Sequence, residues 1–263
     1  MWIDDRKRDK SMQLPSDDGK TTLHALFPTL VYQTHVAESQ VWRERLEEVS
    51  PEFHPASEAE SGSRHFAGEY HGQILLHQQE RLRPVFLGLA REVERYLNVL
   101  GMRPHLFDMQ CLKSWFVICD ASGDEPDAMM AHNHSCSDIS WVYYVDVPDD
   151  TPIRFHAPGP QPTAPFGSAF HYDWQNEAKS AVNRQTWWNR DSATIQPRDG
   201  DLLIFPGHQL HSIDANRSGR PRISVAGDIA LTLKPEFKDL EFGRVAREHW
   251  LTIELGQPND QAD

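Results

Sequence analysis

His132 and His134, separated by a single residue, open the stretch HNHSCSDISWVYYV at 132–145. In a β-strand the side chains of residues i and i+2 point to the same face, so both imidazoles can face one cavity. Imidazole nitrogens bind iron, zinc, copper and nickel. The chain has 14 histidines in 263 residues, so about 0.7 pairs with this spacing are expected by chance. The pair therefore needs support from residues elsewhere in the chain.

That support comes from the segment 200–231, which contains His211, Arg222 and Ser224. Residues with strong turn preference surround 216–217 and predict a hairpin centred there. In such a hairpin His211 pairs with Arg222, and paired residues have Cβ atoms about 4.5–5.5 Å apart on one face. Ser224 lies two residues after Arg222 and joins the same face. This register predicts an imidazole, a guanidinium and a hydroxyl side by side in the interior of a barrel.

An inward-facing Arg222 is costly unless an anion pairs with its charge. The planar guanidinium suits a carboxylate, which it can bind through two parallel hydrogen bonds. A metal beside such an Arg–Ser pair indicates a ligand that chelates the metal with one end and forms a salt bridge with the other. Binding of this kind is how 2-oxoglutarate is held.

The chain resembles the Fe(II)/2-oxoglutarate-dependent oxygenase superfamily, and most of all a bacterial and phage branch of it. The resemblance rests on LFPTLVY (26–32), HNHSCSDISWVYYV (132–145) and LLIFPGHQLH…RIS (202–224), with Trp115 in a matching SWF. It spans about residues 25–231. The resemblance implies an oxygenase that uses Fe(II), 2-oxoglutarate and O2, hydroxylates its substrate and releases succinate and CO2.

The resemblance also implies a metal-ligand set. By this comparison His132 and His211 are iron ligands. The wider superfamily has an aspartate where this chain has His134, so we expect His134 as the third ligand, which makes three neutral imidazoles. Asp138, four residues further on, is the rival carboxylate ligand.

The resemblance assigns the distal carboxylate of 2-oxoglutarate to Arg222 and Ser224. Tyr144 is a candidate for a further hydrogen bond to 2-oxoglutarate, because one of two adjacent tyrosines in a strand must face inward. The chain departs from the branch at Trp141, where a glycine is usual, and at Asp228, where asparagine is expected. Trp141 is therefore a candidate for the wall of the substrate pocket.

The spacing of apolar residues predicts helices at 38–50 and about 80–100. A strand at 25–36 enters the domain, and after the second helix the pattern changes to short strands. These strands are predicted at 105–119, 139–147, 151–156, 193–197, 201–206, 209–214 and 222–233. The order of elements predicts a mainly β fold, with a jelly-roll (double-stranded β-helix) core and N-terminal helices packed outside it. We expect a poorly ordered segment at 1–21 and a single domain over 22–263.

The segment 158–192 is unusually long for a loop between barrel strands. It contains Trp174, Trp187 and Trp188, which argue against disorder and are further candidates for a substrate wall. We expect a lid or a wall of the substrate pocket, with an oligomer contact as the alternative.

The formal net charge of -13 opposes binding to nucleic acid or to an anionic membrane surface. The N-terminus has no apolar signal region, and none of the three cysteines forms a CxxC pair. We therefore expect a cytoplasmic protein that acts on a small molecule, and a homo-oligomer is compatible with the sequence.

Two other functions fit part of the pattern. A cupin-type metalloenzyme would use His132, His134 and Asp138 in an HxHxxxE-like motif with His211 as fourth ligand, but it would leave Arg222 without a role. A non-catalytic module that binds a metal or 2-oxoglutarate would keep all these residues. Release of succinate would distinguish the oxygenase from both alternatives.

Overall fold

The computed structural model describes residues 29–49, 75–119, 128–157 and 191–240, and the backbone of three further two-residue strands. Its α-helices are α1 (Ser39–Val49) and α2 (Arg83–Val99). The strands are β1 (Gln13–Leu14), β2 (Leu23–His24), β3 (Tyr32–His35), β4 (Phe66–Ala67), β5 (Phe107–Cys119), β6 (Met129–His132), β7 (Ile139–Asp146), β8 (Ile153–His156), β9 (Ser192–Ile195), β10 (Asp201–Pro206), β11 (His211–Ile213) and β12 (Arg222–Leu233). Short 3-10 helices lie at Leu76–Gln78, Glu80–Leu82, Pro104–Leu106 and Pro235–Leu240. No helix in the described ranges is long and apolar enough to cross a membrane.

The strands form two antiparallel sheets that face each other. The large sheet has the order β3-β10-β7-β12-β5-β4, the small sheet has the order β6-β11-β8-β9, and β1 and β2 pair separately. Tyr144 and Phe205 of the large sheet share one apolar cluster with Ile153 and Phe155 of the small sheet. Two sheets packed in this way around a common interior form the jelly roll that the sequence predicts. The fold prediction is confirmed.

The helices cover the outer face of the large sheet. Trp42 of α1 packs against Tyr143 of β7 with ring centroids 5.0 Å apart, and Phe86 of α2 meets Trp141 edge-on at 6.0 Å. The cluster that joins helices and sheet also contains Leu46, Val49, Leu89, Val93, Tyr96, Val145, Leu202, Ile204 and Val225. Because side chains alternate along β7, Trp141 and Tyr143 face the helices whereas Tyr144 faces the interior between the sheets.

The predicted helices and most predicted strands are confirmed, with small shifts at their ends. The second helix differs in its first turn, which is the 3-10 helix Glu80–Leu82 ahead of α2. Gly101 follows α2 with φ +75°, a conformation that glycine adopts at the C-terminal end of a helix without strain.

Three predicted features lie wholly or partly outside the described residues. The segment 1–21 is described only as the backbone of β1, the predicted strand at 25–36 is described from residue 29, and the insertion 158–192 is described only at its last two residues. The disorder of the first, the wall or lid role of the last, and the single domain over 22–263 stay predictions.

The predicted hairpin between His211 and Arg222 is wrong. His211 pairs with His132 on one side and Phe155 on the other, within the small sheet. Arg222 pairs with Cys119 in the large sheet. The turn-forming residues between β11 and β12 therefore belong to a crossing between the sheets.

Asn216 stabilises this crossing from the inside. Its side chain is fully buried, and its amide donates to the Cys119 carbonyl at 2.8 Å and to the Arg220 carbonyl at 2.9 Å. Its oxygen accepts a hydrogen bond from the Ser218 hydroxyl at 2.7 Å. A turn that is held to the end of β5 in this way delivers Arg222 to the large sheet, which the preference of its residues for turns cannot reveal.

Candidate metal centre and anion pocket

Three histidines meet at the open end of the small sheet. His132 ends β6 and His211 begins β11, and the two residues are direct partners across the sheet. His134 follows two residues after β6 ends. The imidazole rings lie 4.4 Å apart for His132 and His211, and 5.3 Å from His134 to each of the others, centroid to centroid. One nitrogen from each residue lies within 4.8 Å of the other two, which a single ion can span.

His134 reaches the group from a turn rather than from a strand, so the strand-face argument for the HxH pair is wrong in its detail. Its backbone N–H donates to the Gly207 carbonyl at 2.8 Å, and the Gly207 N–H donates to the Asp138 carbonyl at 3.0 Å. The turn after β6 is thus tied to the turn after β10. This contact between two turns sets the position of His134.

The Nδ1 atom of each histidine already has an acceptor. His132 bonds to the Met130 carbonyl at 2.8 Å and His211 to the Gln209 carbonyl at 2.9 Å. Because a carbonyl only accepts, Nδ1 carries the proton in both rings. His134 Nδ1 lies 2.7 Å from Asp228 Oδ1, which favours the same tautomer. In the neutral form of each ring, Nε2 is therefore the atom whose lone pair can bind a metal.

His211 is neutral in this environment. Burial lowers its pKa to about 4, although the hydrogen bond to the Gln209 carbonyl opposes the shift. The aromatic rings of Phe205 and Phe155 lie 5.0 Å and 6.3 Å from its ring, centroid to centroid. A neutral imidazole against an apolar wall suits a metal ligand, since coordination requires the unprotonated nitrogen.

Asp228 lies directly behind His134 and is fully buried. Its Oδ1 accepts from the Ser140 hydroxyl at 2.7 Å, and its Oδ2 lies 3.4 Å from Lys113 Nζ. Burial alone would raise the pKa of Asp228, but the hydrogen bonds from His134 and Ser140 and the charge of Lys113 outweigh burial and lower the pKa below its usual range. Trp115 stacks on the other side of His134 at 5.7 Å.

A second set of polar groups faces the same interior. Arg222 is 1% exposed, and none of its three guanidinium nitrogens has a hydrogen-bond partner among the described residues. Its guanidinium carbon lies 5.1 Å from the centre of the Tyr144 ring. The hydroxyl of Tyr144 and the indole N–H of Trp115 are also buried without a partner in the described part of the chain. Ser224, fully enclosed, is the next inward residue of β12.

These groups are all donors. Burial raises the pKa of the Tyr144 phenol to about 12, with the charge of Arg222 opposing the shift, so its hydroxyl keeps a proton to donate. Tyr144 shares its apolar cluster with Phe155 and Phe205, the two rings that also contact His211. The donor pocket and the histidine group are thus joined by one layer of side chains.

Two of the predicted site residues lie elsewhere. The carboxylate of Asp138 accepts a hydrogen bond from the Leu231 N–H at 2.8 Å, and this residue is absent from the group of converging ligand atoms. Trp141 cannot form a wall of the pocket, because it lies on the helix side of the large sheet against Phe86. The other wall candidates, Trp174, Trp187 and Trp188, lie outside the described residues.

Sequence reasoning did not assign a site role to Asp228 or Trp115. The signal for Asp228 was present, because it follows Arg222 and Ser224 at even spacing along one strand and must share their face. The sequence held no such signal for Trp115, whose pairing with Ala226 is seen only in the structure. The even spacing of Asp228 does not identify its partner, His134, which lies in a turn far away in the chain.

Residues 113–228 match the model of a family described as "Putative 2OG-Fe(II) oxygenase". No curated protein matches the chain in sequence. Among solved structures, the non-heme alpha ketoglutarate dependent epimerase SnoN from nogalamycin biosynthesis is 15% identical, with 79% of this chain and 82% of that chain covered and a TM-score of 0.48. A prolyl-4-hydroxylase from Pseudomonas putida is 14% identical, with 77% and 93% covered and a TM-score of 0.44.

The family match covers the histidine group, Asp228 and the pocket around Arg222, and it begins at Lys113. The part of the chain that forms the site is therefore the part that the family model describes. By this match residues 113–228, which form the site, resemble the 2OG-Fe(II) oxygenase family.

Proposed function

We propose that the chain is an Fe(II)- and 2-oxoglutarate-dependent dioxygenase that hydroxylates a small organic substrate and releases succinate and CO2. The observation that carries the proposal is the buried Arg222, which has no hydrogen-bond partner among the described residues and shares an interior with three converging histidines.

His132, His134 and His211 would hold the iron through Nε2, because each Nδ1 is already committed to another acceptor. Three protein ligands leave coordination positions open for other molecules, as catalytic metal sites require. When bound, iron and 2-oxoglutarate supply the oxidising chemistry, in which decarboxylation of 2-oxoglutarate is coupled to oxidation of a C–H bond by O2.

Arg222 and Ser224 would bind the distal carboxylate of 2-oxoglutarate. A buried charge without a partner is strongly unfavourable, so an anion must complete the pocket in the working state of the protein. The guanidinium fits a carboxylate through two parallel hydrogen bonds. The Tyr144 hydroxyl and the Trp115 indole N–H add buried donors, so the pocket favours a ligand that presents acceptors.

The residues around the site also keep water away from it. Phe155 and Phe205 line one side of the histidine group, and Trp115 covers His134. The buried, positively charged pocket around Arg222 strengthens the interaction between the dianion and this guanidinium. It also limits side reactions when the oxidising chemistry runs.

For the substrate we infer a small organic molecule. The net charge of -13 disfavours polyanionic substrates such as nucleic acids. A substrate wall or lid in 158–192, with Trp174, Trp187 and Trp188, is part of this proposal. A cytoplasmic location is a further part, and the three free cysteines, Cys111, Cys119 and Cys136, agree with a reducing compartment.

The test is an anaerobic titration of the metal-free protein with Fe(II), followed by 2-oxoglutarate. We expect the weak visible charge-transfer band that forms when the two oxygens of 2-oxoglutarate chelate iron. Arg222→Ala should weaken 2-oxoglutarate binding by roughly 100-fold or more, because it removes one partner of a buried charge pair. Arg220→Ala is the matched control, since Arg220 is 54% exposed and pairs with Asp146 instead.

The outcomes separate the competing functions. An iron-loaded protein that shows no band would contradict the proposal and favour a cupin-type metalloenzyme. A band without formation of succinate in the presence of O2 and candidate substrates would favour a binding module. His134→Ala should lose the metal, whereas retention of both metal and band in that variant would point to a carboxylate as the third ligand.

A further inference from the structure

The contact between His134 and Asp228 sets this metal centre apart from a simple group of three imidazoles. His132 and His211 each donate from Nδ1 to a backbone carbonyl, but His134 donates to a carboxylate at 2.7 Å. His134 is also the ligand that lies in a turn rather than in a paired strand. Its ring therefore depends more on side-chain contacts for its orientation than the other two rings do.

Residues of both neighbouring strands contact the carboxylate of Asp228 in the interior of the large sheet. It pairs with Lys113 of β5 on one side and with Ser140 of β7 on the other. Both partners use their side chains, with Ser140 donating at 2.7 Å and Lys113 Nζ lying 3.4 Å from the second oxygen. Two cross-strand neighbours thus hold one carboxylate in the middle of the large sheet.

The partners of Asp228 indicate that it is a carboxylate anion. Its Oδ1 accepts hydrogen bonds from His134 and Ser140. The charge of Lys113 lies 3.4 Å from Oδ2, which has no hydrogen-bond partner among the described residues. The group of converging ligand atoms consists of three histidines and contains no acidic residue, among the residues that the structure describes. The carboxylate of Asp228 is hydrogen-bonded to His134, so it brings a negative charge close to the three histidines without being one of the converging ligands.

We propose that Asp228 is the positioning carboxylate of this metal centre: it binds His134 from behind, fixes its tautomer and ring orientation, and strengthens it as a ligand. Lys113 and Ser140 hold Asp228 in place for this role. This inference rests on the proposed function, because it assigns His134 to the metal. A carboxylate behind a metal-binding histidine raises the basicity of the ligand and returns part of the charge that a direct carboxylate ligand would supply.

The test compares Asp228→Asn with Asp138→Asn in metal-free protein titrated with Co(II), which reports its coordination through its visible spectrum. Asparagine has nearly the same shape as aspartate, and its carbonyl oxygen still accepts a hydrogen bond, so Asp228→Asn changes charge more than packing. We expect Co(II) affinity to fall about 10- to 100-fold, with a changed visible spectrum of the bound ion. Asp138→Asn removes a charge from the adjacent turn, where Asp138 bonds only to backbone in the described structure, and should bind like the wild type.

A second readout separates positioning from folding. In the metal-free protein, the imidazole N–H of His134 should give a strongly downfield proton signal, as expected for a hydrogen bond to a carboxylate. That signal should move upfield in Asp228→Asn, while thermal unfolding shows that the variant is folded. The signals of His132 and His211 should not change, because their acceptors are backbone carbonyls.

The possible results distinguish the role of Asp228 from the proposed function of the protein. Loss of Co(II) affinity in Asp228→Asn but not in Asp138→Asn, with a shifted His134 signal, supports the inference. Equal Co(II) affinity and spectrum in Asp228→Asn and the wild type would overturn it and leave the proposed function standing. A wild-type protein that binds neither Co(II) nor Fe(II) would overturn the proposed function and this inference together.

Discussion

Arg222 carries a full charge at a position that is 1% exposed, and this burial has a measurable energetic consequence. A buried charge without a partner destabilises the folded state, whereas an apolar side chain of similar length does not. The ligand-free protein is therefore less stable than it would be with an apolar side chain at position 222, which agrees with the proposed role of Arg222 in binding an anion. Replacement of Arg222 by an apolar residue should therefore raise the stability of the ligand-free protein and weaken the binding of 2-oxoglutarate.

We predict that Arg222→Met raises the free energy of unfolding of the ligand-free protein by roughly 1–4 kcal/mol. Urea denaturation of metal-free samples measures this change. The same variant should no longer be stabilised by 2-oxoglutarate. Arg220→Met, which removes an exposed ion pair with Asp146, should change stability by less than about 1 kcal/mol. A less stable Arg222→Met that still responds to 2-oxoglutarate would contradict the anion pocket.

At the residue scale, ligand chemistry and the family resemblance singled out the three histidines and Arg222. The strand-face argument for His134 and the hairpin between His211 and Arg222 were both wrong. Sequence reasoning favoured His134 as the third member and kept Asp138 as the rival, since both lie in the same short turn. The structure separates them through contacts with distant segments. Asp138 bonds to Leu231, and His134 bonds to Asp228.

At the scale of elements, the contact between the turns after β6 and β10 determines where His134 lies. Gly207 provides the close approach, because a Cβ atom at this position would overlap the Ser137 hydroxyl and the Ser137 carbonyl. Both Gly207 backbone groups bond to the 134–138 turn. The absence of a side chain at Gly207 therefore helps to place His134 in the candidate metal site.

We predict that Gly207→Ala weakens metal binding as well as the fold. The added methyl group must displace the 134–138 turn or the turn after β10, at about 1–3 kcal/mol of unfolding free energy, and His134 moves with the turn. Gly219→Ala is the control, since Gly219 has φ +82° but no atom within 4 Å of an added Cβ; it should cost about 1–2 kcal/mol and leave Co(II) affinity unchanged. Equal Co(II) affinity in Gly207→Ala and the wild type would separate this contact from the site.

Trp141 illustrates how two elements can accommodate a large side chain without affecting the pocket. It pairs across the sheet with Gly227, whose missing side chain leaves room for the indole, since an added Cβ would lie 2.6 Å from the Trp141 ring. The departure at Trp141 thus concerns the helix-covered face of the sheet. It does not narrow the interior.

We predict that Trp141→Leu lowers the free energy of unfolding by roughly 2–4 kcal/mol, because it leaves a cavity beneath α2. Its affinity for 2-oxoglutarate, measured with iron under anaerobic conditions, should stay within about threefold of the wild type. A large loss of affinity in a folded Trp141→Leu protein would mean that the helix face and the interior are coupled.

At the scale of the whole molecule, the proposed ligands bind residues from both sheets. His132 and His211 belong to the small sheet, and Arg222 and Ser224 belong to the large one. A ligand that joins the two sheets should stabilise the native state, because binding to the folded protein alone shifts the unfolding equilibrium. The metal and 2-oxoglutarate should also favour each other's binding, since each completes part of the other's site.

We predict that Co(II) and 2-oxoglutarate together raise the melting temperature more than the sum of their separate effects. At a 100-fold excess over its dissociation constant, one ligand contributes about 2.7 kcal/mol. Removal of the metal with a chelator should abolish most of the shift due to 2-oxoglutarate. The measurement is anaerobic thermal unfolding with each ligand alone and with both, and simple additivity would contradict a shared site.

The sequence by itself determined the jelly-roll class, both helices and most strands, and it singled out Arg222 as a candidate. Periodicity, turn-forming residues and the chemistry of side chains are local properties, so a single chain reveals them. It did not determine which strands pair, and the predicted hairpin between β11 and β12 was therefore wrong. Turn-forming residues permit a hairpin or a crossing equally well.

Only the tertiary structure decided that β11 pairs with β6, that the Asn216 turn crosses between the sheets, and that Asp228 contacts His134. Each of these depends on packing between segments that are far apart in the chain. The contact between His134 and Asp228, for example, joins residues 94 positions apart. The types and spacing of residues in the sequence thus indicate the candidate ligands. Their arrangement in space follows from the packing of the two sheets against each other.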